Sequence, residues 1–242
     1  MKFLFPALFW MCLSIQTKSQ NLPPFQFAQM AFYLKVSNGT GTAFLVSYKG
    51  KQYYVTARHM FDNPINKQNI TVKIFKDSVW NSVNGILFVS DTIKIDVAVI
   101  QIDSSLYSKR AVEISNPPVI LLGDNGYFFG FPMGYYSSDI SNANTGFPFP
   151  LMKGVILSGI FNQKGISRLF LDGHNNKGFS GGPVIFIDRY SPQKNKWFIA
   201  GVISGYYIEK IPQKDRTELI GNSGIIDVIS ISHVIKIIER NN

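Results

Sequence analysis

The stretch Gly178-Phe179-Ser180-Gly181-Gly182-Pro183-Val184-Ile185-Phe186-Ile187 decides the fold. A serine hydroxyl is a poor nucleophile until a neighbouring base takes its proton. Glycines on either side let backbone N–H groups approach an oxyanion without interference from a Cβ. Read literally, Gly178-x-Ser180-x-Gly182 also fits a nucleophile elbow, which leads from a strand into a helix and has its acid and then its histidine downstream. Here the serine leads into the extended apolar run Val184 to Ile187. The sole downstream histidine, His233, opens a segment that reads as a structural helix. The elbow reading fails.

Working outward, the partners lie upstream. Tyr53-Tyr54-Val55-Thr56-Ala57-Arg58-His59 is a strand that delivers a histidine at its end, preceded by Gly41-Thr42-Ala43-Phe44-Leu45-Val46. Asp96-Val97-Ala98-Val99-Ile100 starts an apolar strand with a carboxylate that can orient an imidazole from a sheltered position. Each residue alone has a plainer explanation. His59 could be a hydrogen-bonded structural group, Asp96 a turn residue like Asp91 and Asp103, and Ser180 a loop serine. In the order His59, Asp96, Ser180 the three together point to nucleophilic catalysis.

On these motifs the sequence resembles the trypsin-like serine proteases, and among them the cysteine-poor bacterial branch that includes the Deg/HtrA proteases. Phe129-Gly130-Phe131-Pro132 looks like the Gly-x-Pro turn that opens the second barrel in that family. The resemblance implies an all-β fold of two six-stranded antiparallel barrels with the active site between them. His59 and Asp96 would come from the first barrel and Ser180 from the second. His59 would serve as general base and then acid, Asp96 would fix its tautomer, and the N–H groups of Gly178 and Ser180 would form the oxyanion hole. By the same resemblance His174, Ser204 and Gly205 are substrate-binding candidates; for His174 a loop hydrogen bond is the plainer and preferred reading. The implied reaction is peptide-bond hydrolysis through an acyl-enzyme, on polypeptide substrates and without a cofactor. The alternative is a non-catalytic binding module on the same fold.

Two departures from the family bear on mechanism. Arg58 stands beside His59 where many relatives have a small residue, and strand alternation sends the two side chains apart. Phe179 precedes the serine where zymogen-type relatives have an Asp that pairs with a new N-terminus. The loop is therefore expected to be set by packing around Phe179, and the protein to need no activating cut after signal removal. No PDZ module is expected after the terminal helix.

Composition supports this reading. In 242 residues, 45% hydrophobic and 16% charged side chains exclude a disordered or highly charged tail protein. Twenty Phe and 11 Tyr favour strands, because flat side chains suit a pleated surface. Lys2 followed by the apolar run Phe3 to Ile15 reads as a signal peptide over residues 1–19, too short for the roughly 20 apolar residues of a membrane span. Its removal takes away Cys12, the one cysteine, and lowers the formal charge from +9 to +7. A cysteine-free exported chain fits a bacterial periplasm or exterior, with no stable membrane span after cleavage. The remaining basic residues are scattered in twos and threes, such as Lys49 and Lys51, Lys109-Arg110, Lys194 and Lys196, and Lys214 to Arg216. They form no stripe and no nucleic-acid motif, so nucleic acid is not the expected partner. Asp172-Gly173-His174-Asn175-Asn176 lacks the carboxylate spacing of a calcium loop, and no metal is expected.

Short strands punctuated by turns run along the chain. The first barrel is expected over 20–118 and the second over 119–229, with Asn116-Pro117-Pro118 as the linker because proline cannot donate to a sheet ladder. Residues 230–242 read as a helix capped by Ser230 or Ser232. Its apolar residues Ile231, Val234, Ile235 and Ile238 recur at helical spacing and face a barrel.

Overall fold

The computed structural model describes residues 22–37, 39–102, 108–138, 142–193, 196–212 and 218–242. The signal segment, Asp103, Lys194 and the Lys214 to Arg216 cluster lie outside the described residues. A short helix α1 (Phe25–Gln29), not anticipated from sequence, leads into β1 (Ala31–Val36). Then follow β2 (Gly39–Tyr48), β3 (Lys51–Thr56), β4 (Gln68–Lys76), β5 (Val79–Val89) and β6 (Ala98–Ile102). Their lateral order is β1-β4-β5-β6-β3-β2, and antiparallel pairing of β1 with β2 joins the two ends. The two-residue strand β7 (Val112–Glu113) adds to β2 in parallel, a departure from purely antiparallel pairing.

The second half holds β8 (Asn125–Gly130), β9 (Leu151–Gln163), β10 (Ile166–Asp172), β11 (Pro183–Ile187), β12 (Trp197–Pro212) and β13 (Glu218–Ser230). They form a closed antiparallel barrel in the order β10-β13-β12-β11-β8-β9. Asn116-Pro117-Pro118 lies in the strand-free connection between β7 and β8.

Alternation explains why several strands read as continuous apolar runs. On β2, Ala43 and Leu45 join the first barrel's interior with Leu34, Tyr54, Ile74 and Ile100. Phe44 and Val46, pointing the other way, join a separate cluster with Phe129, Ile185, Val202 and the terminal helix. Both faces are buried, so no polar face interrupts the pattern. A third cluster, around Phe128, Leu171, Phe186 and Val228, fills the second barrel.

Tight hairpins have positive φ at both central residues, as a type I′ turn requires: Lys49-Gly50, Asp77-Ser78 and Lys164-Gly165. β12 and β13 continue beyond the barrel into a projecting hairpin. Its side chains, among them Tyr207, Ile208 and Ile220, are exposed, so no core-facing alternation marks it. Helix α2 (Ile231–Asn241) begins as expected. The Ser230 hydroxyl accepts the Ser232 N–H at 3.3 Å, and Ile231, Val234, Ile235 and Ile238 are buried.

Candidate active site

His59 sits in a single 3-10 turn, Arg58–Met60, immediately after β3. Asp96 was expected to open the next strand, but it lies in the loop two residues before β6. The chain is still turning there: Ile95 N donates to Thr92 O, and Val97 N to Ile95 O at 2.9 Å, so the ladder cannot start earlier. This bend turns the Asp96 carboxylate towards the histidine. Oδ1 accepts the main-chain N–H of His59 at 2.8 Å, and Oδ2 lies 2.7 Å from its Nδ1. Strand alternation does not apply to Arg58, because it shares the 3-10 turn with His59; its guanidinium is held instead by Ser90 O at 2.5 Å, on the chain leading to Asp96.

The second barrel reaches across to the same carboxylate. Ser204, on β12 beside a register irregularity, donates its hydroxyl to Asp96 Oδ2 at 2.7 Å. Arg168 on β10 donates to Lys94 O at 2.7 Å and pairs with Asp227 of β13. Sequence reasoning missed the Arg168–Asp227 pair, since β10 and β13 are far apart in the chain.

These contacts set the charge states. The hydrogen bond to Asp96 holds the His59 imidazole above its ordinary value, against the opposing effect of burial. Burial pushes the Asp96 carboxyl up, but the hydrogen bonds and charge of His59, with the Ser204 hydroxyl, outweigh it and hold it below the ordinary value. Asp96 is thus an acceptor, Nδ1 of a neutral His59 carries the proton, and Nε2 is left as the basic nitrogen.

Ser180 lies in a turn built by glycines. Gly178 has φ of +102°, and a Cβ there would lie 2.3 Å from Phe131 O. Gly181 has φ of +81°, and a Cβ there would lie 2.2 Å from Thr56 Oγ1. The turn is tied down on both sides: Gly181 N donates to Ile203 O and Thr42 N donates to Ser180 O at 3.0 Å. The histidine turn meets this loop over Gly41. A Cβ on Gly41 would lie 2.8 Å from Met60 Cε and 3.2 Å from Ser180 O.

Met133 N donates to Lys177 O at 2.8 Å. In a trans peptide the C=O and N–H point in opposite directions, so this bond turns the Gly178 N–H away from Met133. Among the described residues, neither Gly178 N nor Ser180 N donates to a protein acceptor. Phe179 is fully buried, with Phe128 edge-on to its ring at 4.7 Å. The Lys153 ammonium lies 5.6 Å from the same ring and donates to His174 O at 2.6 Å.

His174 is exposed, and its main chain is what the neighbouring residues hold. The adjacent Asn175 is buried and spans to Gly205 O with its amide nitrogen, 3.2 Å away. Of the expected substrate-binding set, Ser204 turns its side chain to Asp96, and Gly205 and His174 meet through Asn175. Sequence reading did not single out Asn175. An open depression lined by Arg58, His59, Phe61, Asn63, Pro64, Ile93 and Asp96 exposes one side of the histidine.

Residues 41–189 match the family described as the trypsin-like peptidase domain. The chain belongs to that family. Its structure is similar to the serine endoprotease from Yersinia pestis, with a TM-score of 0.55 and 19% identity, covering 89% of this chain and 65% of that one. It is also similar to the HtrA-type protease AlgW solved with a tripeptide, with a TM-score of 0.56 and 22% identity, covering 88% of this chain and 60% of that one. The MamO protease domain from Magnetospirillum magneticum matches with a TM-score of 0.50 and 11% identity, over 87% of this chain and 96% of that one. At these identities the likeness is one of fold. The chain therefore spans under two thirds of the Yersinia and AlgW chains. No curated protein matches it at a significant level.

Proposed function

We propose that the protein is an exported serine endopeptidase that cleaves polypeptides with His59, Asp96 and Ser180 as its triad. The observation that carries the reading is the Asp96 carboxylate bonded to both the main chain and Nδ1 of His59, with Ser204 from the second barrel on the same oxygen.

Nε2 of His59 takes the proton of Ser180 Oγ as the oxygen attacks the substrate carbonyl carbon. The carbonyl π electrons move to oxygen, and the Gly178 and Ser180 N–H groups receive that oxyanion. The imidazolium, stabilised by Asp96, then protonates the departing amine as the peptide C–N bond breaks. Water repeats the sequence on the Ser180 ester: Nε2 takes its proton, hydroxide oxygen adds to the carbon, and Oγ leaves with a proton from His59. A cofactor has no step in this scheme. His174 and Gly205 are assigned to substrate binding by the family resemblance alone. Export rests on the charged start and apolar run of residues 1–19 and on the absence of cysteine after them.

Incubation with a diverse peptide library, read by mass spectrometry, tests the proposal. Internal cleavages are expected from the parent chain and none from Ser180→Ala or His59→Ala. Cleavage persisting in either variant overturns the triad.

A further inference from the structure

We propose that Thr42 is a positioning residue whose hydroxyl latches the oxyanion loop to both barrels. The inference rests on the reading of Ser180 as nucleophile. Thr42 is fully buried on β2 at the point where that strand has parted from β3, whose pairing with β2 starts at Phe44. The edge left open there faces the Gly178–Gly182 loop. Thr42 makes four hydrogen bonds at this junction with its three polar groups. Its N–H donates to Ser180 O at 3.0 Å. Its hydroxyl donates to Gly178 O at 2.7 Å and accepts the Phe131 N–H at 3.1 Å. Its carbonyl accepts the Thr56 hydroxyl at 2.7 Å.

The consequence is geometric. The Gly178 carbonyl belongs to the peptide that links Gly178 to Phe179, while Lys177 O, on the peptide before it, is held by Met133 N. Fixing the carbonyls on both sides of Gly178 fixes the direction of its N–H at a φ of +102°, where glycine alone would be free to rotate. The third member, Ser180, is held by the Thr42 N–H. Thr42 of the first barrel therefore fixes the peptides that follow both donors, Gly178 through its hydroxyl and Ser180 through its main-chain N–H. Close approach is built in: a Cβ on Gly130 would come within 2.6 Å of Thr42 Oγ1.

The test compares Thr42→Val, which keeps the shape and removes the hydroxyl, with Thr42→Ser, which restores it. The readout is the second-order rate of labelling by a fluorophosphonate, whose phosphoryl oxygen occupies the oxyanion hole. It is paired with kcat and KM on a fluorogenic peptide chosen from the parent's cleavages. Removing one oxyanion donor outright costs about 10²–10³ in rate, so misdirecting it in Thr42→Val should cost about 10–10² in labelling and in kcat. KM and the His59 titration followed by NMR should stay as in the parent, and Thr42→Ser should lie within about threefold of it. Should Thr42→Val not fold, Thr42→Ala against Thr42→Ser makes the same comparison, since that pair differs in the hydroxyl alone. Parent-like labelling and kcat without the hydroxyl overturn the latch, as does a loss that Thr42→Ser shares in full. Labelling or hydrolysis that survives Ser180→Ala overturns the underlying reading instead, so the two failures are separable.

Discussion

Asp96 binds His59 twice, through the main-chain N–H at 2.8 Å and the ring Nδ1 at 2.7 Å. One carboxylate thereby fixes where the histidine backbone lies and which ring nitrogen carries the proton. Asp96→Asn keeps the size of the side chain but can offer an N–H towards Nδ1, which selects the wrong tautomer. A fall in kcat of about 10⁴ is expected, with little change in KM. Steady-state kinetics on a peptide substrate check this, and a loss under tenfold would contradict the role assigned to Asp96.

The raised titration of His59 moves the pH profile. Nε2 must be unprotonated to accept from Ser180, so activity is absent below the folded pKa and appears as pH rises through it. That midpoint is expected above the ordinary imidazole value of about 6.5, because the Asp96 hydrogen bond favours the charged form. In kcat/KM against pH, Ser204→Ala should move that limb to higher pH, since the Asp96 carboxylate, still ionised but no longer sharing its charge with the Ser204 hydroxyl, becomes more basic and favours the imidazolium more strongly. A parent profile flat down to about pH 4 would remove His59 from the base role.

Much of this site was legible in the sequence, and the shortfalls have physical causes. Glycines around Ser180 announced a crowded turn, and the structure supplies the crowding: Phe131 O, Thr56 Oγ1 and Phe129 O occupy the places where Cβ atoms would be. Ser204 could be picked as a site residue, but its bond to Asp96 could not, because it joins residues 108 apart across two barrels. Asp96 was placed one element too late for the same kind of reason. Val97 is as apolar and buried as the strand residues that follow, so the sequence pattern has no mark for the turn that holds it outside the ladder.

Loop packing, not a terminal charge, is proposed to shape the oxyanion turn. Phe179 is fully buried against Phe128, and truncation to alanine opens a cavity worth about 3–5 kcal/mol of stability. Phe179→Ala is expected to lower the melting temperature and to label slowly with a fluorophosphonate. Chains starting at Gln20 with a free, blocked or extended N-terminus should label equally. Activity that appears only after a defined internal cleavage would contradict this.

His233 gives the fold its own sensitivity to acid. Its Nε2 accepts the Ser167 N–H at 2.9 Å, and burial, aided by the charges of Lys236 and Arg168, holds its titration below the ordinary value. The unfolded chain therefore binds the proton first. Stability from this group is complete above the ordinary imidazole value of about 6.5 and is lost as pH falls from there towards the folded value. His233→Gln retains an acceptor without the titration. Its melting temperature should fall less between pH 7 and pH 5 than the parent's, and equal falls would contradict the assignment.

Catalysis by this site requires an activated Ser180. A fluorophosphonate reacts with a serine whose proton is drawn off by a neighbouring base, and mass spectrometry of the digested protein locates the adduct. The expected result is one phosphonyl group on Ser180, formed by the parent and absent from both Ser180→Ala and His59→Ala. A folded parent chain that stays unlabelled, or an adduct on another residue, would contradict it.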